Sequence, residues 1–132
     1  MPLYHWDRYT AFDSFHRLKL GESPWVALGD FLDDWYRSDP ADRLELVTRP
    51  LEEASTDYER NFATLFAGVI EELCRMEGFA PPSWIMEPRY YLEEPWYPTA
   101  RKEAFRRFLE ETTPPPLKVR KVFIGDRALL RA

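Results

Sequence analysis

The strongest hydrophobic pattern in this 132-residue chain lies at residues 56–77. Apolar side chains recur there three and four residues apart, which places them on one face of a helix: Phe62, Leu65, Phe66, Val69, Ile70, Leu73 and Cys74. Ser55 or Thr56 offers an N-cap, and Gly78 fits the left-handed position that ends many helices. Small side chains leave room for a neighbouring helix: Ala63, Ala67 and Gly68. The pattern predicts a central helix.

Three shorter helices are predicted before it. The first spans about residues 9–19 and ends at Gly21, with an inward face of Phe12, Phe15, His16 and Leu18. The second helix begins with Ser23 as N-cap and Pro24 at the first helical position, and it ends near Ser38. Its predicted inward face consists of Trp25, Leu28, Phe31, Leu32, Trp35 and Tyr36. The third covers residues 41–47, with Leu44 and Val47 on one side.

Residues 79–98 interrupt this helical pattern with prolines and aromatic side chains. A long helix is excluded there, so we expect short turns that cover the core, one of them at residues 83–86. A helix capped by Thr99 is predicted to about residue 111, with an apolar stripe of Ala104, Phe105, Phe108 and Leu109. Beyond the proline triplet 114–116, we predict an extended arm at 118–124 and, after Asp126 as N-cap, a helical turn or two at 127–132.

The predicted fold class is all-α. Length and apolar content suit one core, so we expect a single irregular helical domain over residues 1–132, with four to six helices around the central one. The segment 79–98 connects the central helix to a C-terminal segment at 99–132. No signal peptide is visible at the start, and the longest run without charge or proline, residues 61–70, is too short to cross a bilayer. We therefore expect a cytoplasmic protein with no membrane contact.

Charge is distributed unevenly along the chain. The 18 basic and 23 acidic residues give a net charge of −5, yet residues 99–132 hold 9 basic and only 4 acidic residues. A basic segment on an acidic body either contacts a partner or folds back onto that body. The same complementarity between two chains would also support a homodimer.

Candidate catalytic chemistry is sparse. His5 and His16 share no ligand spacing with Cys74 or with paired acids, so no metal site is predicted. Cys74 lies on the apolar face near the C-terminal end of its helix, where burial and the helix dipole both disfavour a thiolate, and an inert core cysteine is expected. The adjacent acids Asp33-Asp34 and Glu71-Glu72 diverge on a helix. No phosphate-binding glycine motif is present, and no cofactor is predicted.

Two sets of side chains are candidates for binding a partner. The aromatic set consists of Trp84, Tyr90, Tyr91, Trp96 and Tyr97. The basic set consists of Arg101, Lys102, Arg106, Arg107, Lys118, Arg120 and Lys121. The alternative for the aromatic residues is that they cover the helical core, and the alternative for the basic residues is that they follow the phosphates of a nucleic acid. The proline triplet argues against a helix-turn-helix.

Three stretches of the sequence resemble a known family: PSWIMEPRYYLEEPWYP at 82–98, PPLKVRKVFI at 115–124 and ALLRA at 128–132. The region 56–132 resembles a widespread, uncharacterised bacterial all-helical family. The resemblance implies proteins that occur alone or behind a helix-turn-helix domain, some of them antitoxin-like partners of nucleotidyltransferase-like toxins. This chain lacks room for the helix-turn-helix domain, which argues against autonomous DNA binding.

The function that we expect is that of a non-catalytic intracellular protein-binding module, either antitoxin-like or an accessory subunit of a two-component bacterial system. The second interpretation is a nucleic-acid-binding accessory protein. The third is an enzyme of unknown class.

Overall fold

The computed structural model describes residues 9–100 and 102–126. These residues form six α-helices and three 3₁₀ turns, and their only β-pairing is an isolated bridge between Trp96 and Val122. The all-α prediction is confirmed. The chain divides into two compact units, Met1–Ser55 and Thr56–Ala132, which are described separately below. The single domain stays a prediction.

The first unit is built on two packed helices, α1 (Ala11–Lys19) and α2 (Pro24–Arg37). Thr10 caps α1 in a reciprocal capping box with Asp13, and Gly21 takes the predicted left-handed conformation with φ +101°. Ser23 caps α2 as predicted, by accepting a hydrogen bond from the Val26 amide. The core of the unit includes Phe15, Leu18, Leu28, Phe31, Leu32 and Trp35.

Three predicted inward positions in this unit are wrong, and the two apolar residues predicted on one side of the third helix are separated. His16 is exposed, and its Nδ1 contacts the carboxylate of Glu52 at the surface. Trp25 and Tyr36 lie at the borders of the buried face of α2 and are exposed. The third helix, α3 (Pro40–Arg43), tightens into a 3₁₀ turn at Leu44–Val47, and this change of pitch leaves Leu44 exposed while burying Leu46 and Val47.

The second unit is organised by α4 (Asp57–Glu77), the predicted central helix. Thr56 is its N-cap and accepts from the Glu59 amide at 3.1 Å, while Gly78 ends it with φ +74°. All seven predicted apolar positions are buried. The 3₁₀ turns Ser83–Met86 and Pro88–Tyr90 pack on α4, so the predicted turn at 83–86 is confirmed.

A short helix, α6 (Pro115–Lys118), also packs on α4. Its contact point is Gly68, where an added Cβ would lie 2.6 Å from Leu117 Cδ2. Leu117 is fully buried. The small residue at position 68 therefore allows the close approach of a neighbouring helix that the sequence predicts.

The segment between residues 99 and 126 differs most from the sequence prediction. The helix α5 (Glu103–Thr112) begins after Lys102 rather than after Thr99. Only Leu109 of the predicted stripe is buried, while Ala104, Phe105 and Phe108 are exposed.

The extended arm predicted for 118–124 is wrong over its first half. Lys118 ends α6, the chain turns at 119–121, and Lys121 has φ +64°. Only Val122 forms a bridge. The predicted helical turn at 127–132 lies outside the described residues. Within the described residues, no helix has the length and apolar character needed to span a membrane.

Candidate interaction surface

The structure divides the predicted aromatic set into buried and accessible residues. Trp84 and Tyr90 are buried and pack edge to face, with 5.4 Å between ring centroids, so they cover the core and are not accessible to a partner. Tyr91, Trp96 and Tyr97 are partly exposed. The core-covering alternative therefore holds for Trp84 and Tyr90, and partner binding by Tyr91, Trp96 and Tyr97 stays a prediction.

The partly exposed aromatic residues are held by the C-terminal segment. Trp96 donates its amide to the Lys121 carbonyl at 2.8 Å and accepts from the Phe123 amide at 2.9 Å. The Tyr97 ring stacks on Phe123 at 5.1 Å between centroids. Residues 79–98 and 118–124, which are distant in sequence, thus form one surface.

Arg120 is a correction to the predicted basic surface, because its side chain is fully buried. Its Nη1 donates to Glu71 Oε1 at 2.6 Å and to the Pro116 carbonyl at 2.8 Å, and its Nη2 donates to the Ile85 carbonyl at 2.9 Å. The guanidinium also lies 4.6 Å from the centroid of the Tyr91 ring. Arg120 therefore connects α4, the turn Ser83–Met86 and α6 inside the unit.

The remaining basic residues of the set that the structure describes all lie at the surface. Lys121 is directed back onto the chain and donates to the Glu93 carbonyl at 2.8 Å. Exposed positions are held by Lys102, Arg106, Arg107 and Lys118. Arg101 lies outside the described residues. The basic segment thus folds back at Arg120 and Lys121, whereas α5 carries basic side chains that face solvent.

Tyr97 joins the aromatic set to the basic set on α5. Its hydroxyl donates to the carboxylate of Glu110, and this hydrogen bond, with burial as a smaller cause, raises the pKa of Tyr97. The Arg106 guanidinium lies 5.0 Å from the centroid of the same ring. On one flank of α5, the side chains of Arg106 and Glu110 therefore have a contact within the chain.

The exposed apolar face of α5 is the feature that sequence reasoning missed. Phe105 and Phe108 are 48% and 49% exposed, and their rings stack with centroids 5.8 Å apart. A shallow groove of about 130 Å³ lies beside them, lined by Thr99, Phe105, Phe108, Leu109, Ile124, Gly125 and Asp126. We name Phe105 and Phe108, together with Arg107, the α5 face. The sequence does hold one sign of this exposure, which is the short length of the helix between Pro98 and the proline triplet. Only part of the apolar stripe on so short a helix can reach the core.

A larger surface cleft of about 440 Å³ lies at the start of α4, lined by Asp57, Arg60, Asn61, Arg89, Tyr91, Leu92, Glu93 and Glu94. It contains both signs of charge, and Arg60 pairs with Asp57 inside it. Among the described residues, no group of three His, Cys, Asp or Glu side chains is arranged to hold a metal ion.

Cys74 offers a direct test of the expected inert cysteine. Burial, with a smaller contribution from Glu71, raises the pKa of the Cys74 thiol to about 11. At pH 8 the native protein should therefore contain a negligible fraction of thiolate. We expect no reaction with a disulfide reagent such as DTNB within minutes at pH 8, and one reacted thiol per chain after unfolding in guanidinium. A fast reaction of the native protein would contradict the burial of this side chain.

Comparison with protein-family models, curated proteins and solved structures found no match to this chain.

Proposed function

We propose that this chain is a non-catalytic cytoplasmic protein-binding module that contacts its partner through the α5 face. The single observation that carries the proposal is the stacked pair Phe105 and Phe108, half exposed beside the exposed Arg107. Large aromatic side chains with a flanking arginine are the residue types that contribute most binding energy at protein interfaces. Single exposed apolar side chains are common on protein surfaces, but a stacked aromatic pair beside a groove supports a binding role.

The proposed partner has an acidic surface. With Arg120 buried inside the fold, the described part of this segment exposes five basic side chains against four acidic ones, so its surface is only slightly basic. An enzyme that holds catalytic metal ions presents an acidic cleft, and exposed lysine and arginine side chains such as Arg107 complement such a cleft. This supports the antitoxin-like role that the family resemblance implies, in which the module covers the active site of its toxin.

The test is affinity capture from the native cytoplasm with four tagged forms of the chain. We expect the unchanged chain to retain one stoichiometric protein, and Phe105→Ala/Phe108→Ala to reduce its recovery at least about tenfold. Arg107→Glu should weaken capture more at low salt than at high salt, because rim charges are screened. Arg49→Glu, an exposed change of equal charge outside the candidate binding residues, is the matched control.

Two outcomes would overturn the proposal. Equal recovery of the partner by the double alanine variant would show that the α5 face does not bind it. Recovery of nuclease-sensitive material alone, lost with rising salt, would favour the nucleic-acid-binding alternative.

A further inference from the structure

The exposed apolar side chains of α5 form one strip along the helix. At about 100° per residue, Ala104, Phe105 and Phe108 fall within an arc of about 100°, with the buried Leu109 at its inner edge. The two phenylalanine rings are nearly parallel, with 14° between their planes. A second helix laid along this strip would cover both rings.

The two flanks of the strip differ. On the inner flank, Arg106 and Glu110 are both engaged by Tyr97. On the outer flank, Arg107 and Glu111 are exposed, and neither side chain forms a hydrogen bond or an ion pair with another described residue. They lie about 40° apart around the helix, so both border the apolar strip on the same side. The charged side chains on the outer flank are therefore the ones that can form ion pairs with an approaching helix.

The order of these two charges selects the orientation of that helix. In a parallel twofold pair, the outer flank of one helix would lie beside the inner flank of the other, where Arg106 and Glu110 are already engaged by Tyr97. In an antiparallel pair whose twofold axis passes beside Phe108, the two Phe108 rings meet. Arg107 of each chain is then offset by only about 3 Å along the axis from Glu111 of the other. The strip is thus complementary to itself in the antiparallel orientation.

We propose that α5 pairs with α5 of a second copy of this chain in an antiparallel, twofold arrangement, an inference that rests on the proposed role of the α5 face in binding. Such an interface is isologous, so each Arg107–Glu111 contact occurs twice. A ten-residue helix is about 15 Å long and buries less than a standard interface. The dimer is therefore weak, with a dissociation constant in about the micromolar range, and a tighter partner displaces the second copy from the same face.

The test is sedimentation velocity of the full chain over about 1–500 μM, the range in which a micromolar dimer dissociates. Arg107→Glu leaves two acids on the outer flank, and Glu111→Arg leaves two bases. Each variant alone should dimerise at least about tenfold more weakly than the unchanged chain, because both contacts become repulsive. An equimolar mixture should recover dimer, since every facing pair is then of opposite charge. The double variant Arg107→Glu/Glu111→Arg should also dimerise.

Matched controls separate charge pattern from net charge and from folding. Arg49→Glu and Glu45→Arg change the charge of exposed residues outside α5 by the same amounts and should leave the dimer unchanged. Circular dichroism should show equal helix content for all variants. Phe108→Ala should weaken the dimer without restoration by mixing, because it removes the shared apolar contact.

Three results would overturn the inference. The chain could remain monomeric to 500 μM, the two charge variants could dimerise like the unchanged chain, or the mixture could fail to recover dimer. None of these bears on capture of a different protein, so the proposed function stays open to its own test. Conversely, a dimer that behaves as expected supports self-pairing even if no other partner is captured.

Discussion

Replacing Arg120 with methionine is expected to lower the free energy of unfolding by about 3 kcal/mol. Methionine fills a similar volume but donates no hydrogen bond, so the carbonyls of Ile85 and Pro116 lose their donors. Glu71 loses its ion-pair partner as well, although it is partly exposed and can regain water. The cost arises from buried acceptors left without donors, and it is measured by equilibrium unfolding in urea with circular dichroism.

Two comparisons make the Arg120 result interpretable. Lys118→Met, on the exposed side of α6, removes a cation without removing a buried contact and should change stability by less than about 0.5 kcal/mol. Arg120→Lys keeps the charge but lacks the planar group that reaches three acceptors, so an intermediate loss is expected. A loss below about 1 kcal/mol for Arg120→Met would show that these contacts do not stabilise the fold.

Replacing Gly68 with alanine is expected to destabilise the protein by about 2 kcal/mol, even though alanine favours helices by about 1 kcal/mol over glycine. The added methyl group would lie 2.6 Å from Cδ2 and 3.0 Å from Cγ of Leu117, and 3.4 Å from its Cα. Leu117 is itself fully buried, so its side chain has little space in which to move. Thermal and urea unfolding of the full chain measure the loss.

A double-mutant cycle tests whether Leu117 is the cause. Leu117→Ala alone should cost about 2–5 kcal/mol because it leaves a cavity. Gly68→Ala in that background fills part of the cavity, so the double variant should be more stable than additivity predicts by at least about 1 kcal/mol. Additive losses would place the strain elsewhere, and a stabilising Gly68→Ala would show that α6 moves away at little cost.

The local sequence was sufficient to predict the backbone structure wherever one residue and its near neighbours determine the conformation. The cap residues Ser23 and Thr56 and the left-handed positions of Gly21 and Gly78 occur where the sequence predicts them. Capping and φ preferences depend on contacts within a few residues, so they can be read without knowledge of the fold. The buried face of α4 was predictable because seven apolar positions share one helical period.

The partner-binding residues were predictable only as a set of candidates. Residue type marks tyrosine, tryptophan and arginine as interface residues, but their accessibility depends on which elements pack together. Arg120 resembles its neighbours Lys118 and Lys121 in sequence, yet it alone is buried and meets both the Glu71 carboxylate and the Ile85 carbonyl, which come from distant elements. A partner 49 residues away in the chain leaves no local trace at position 120.

By itself, the sequence determined the helical class, the central helix, the caps and the turn at 83–86, because each depends on short-range periodicity or steric preference. Only the tertiary structure decided that Trp84, Tyr90 and Arg120 are internal while Phe105, Phe108 and Arg107 face solvent. Burial is a property of long-range packing, and α5 is too short, and too constrained by prolines on both sides, for its whole apolar stripe to reach the core.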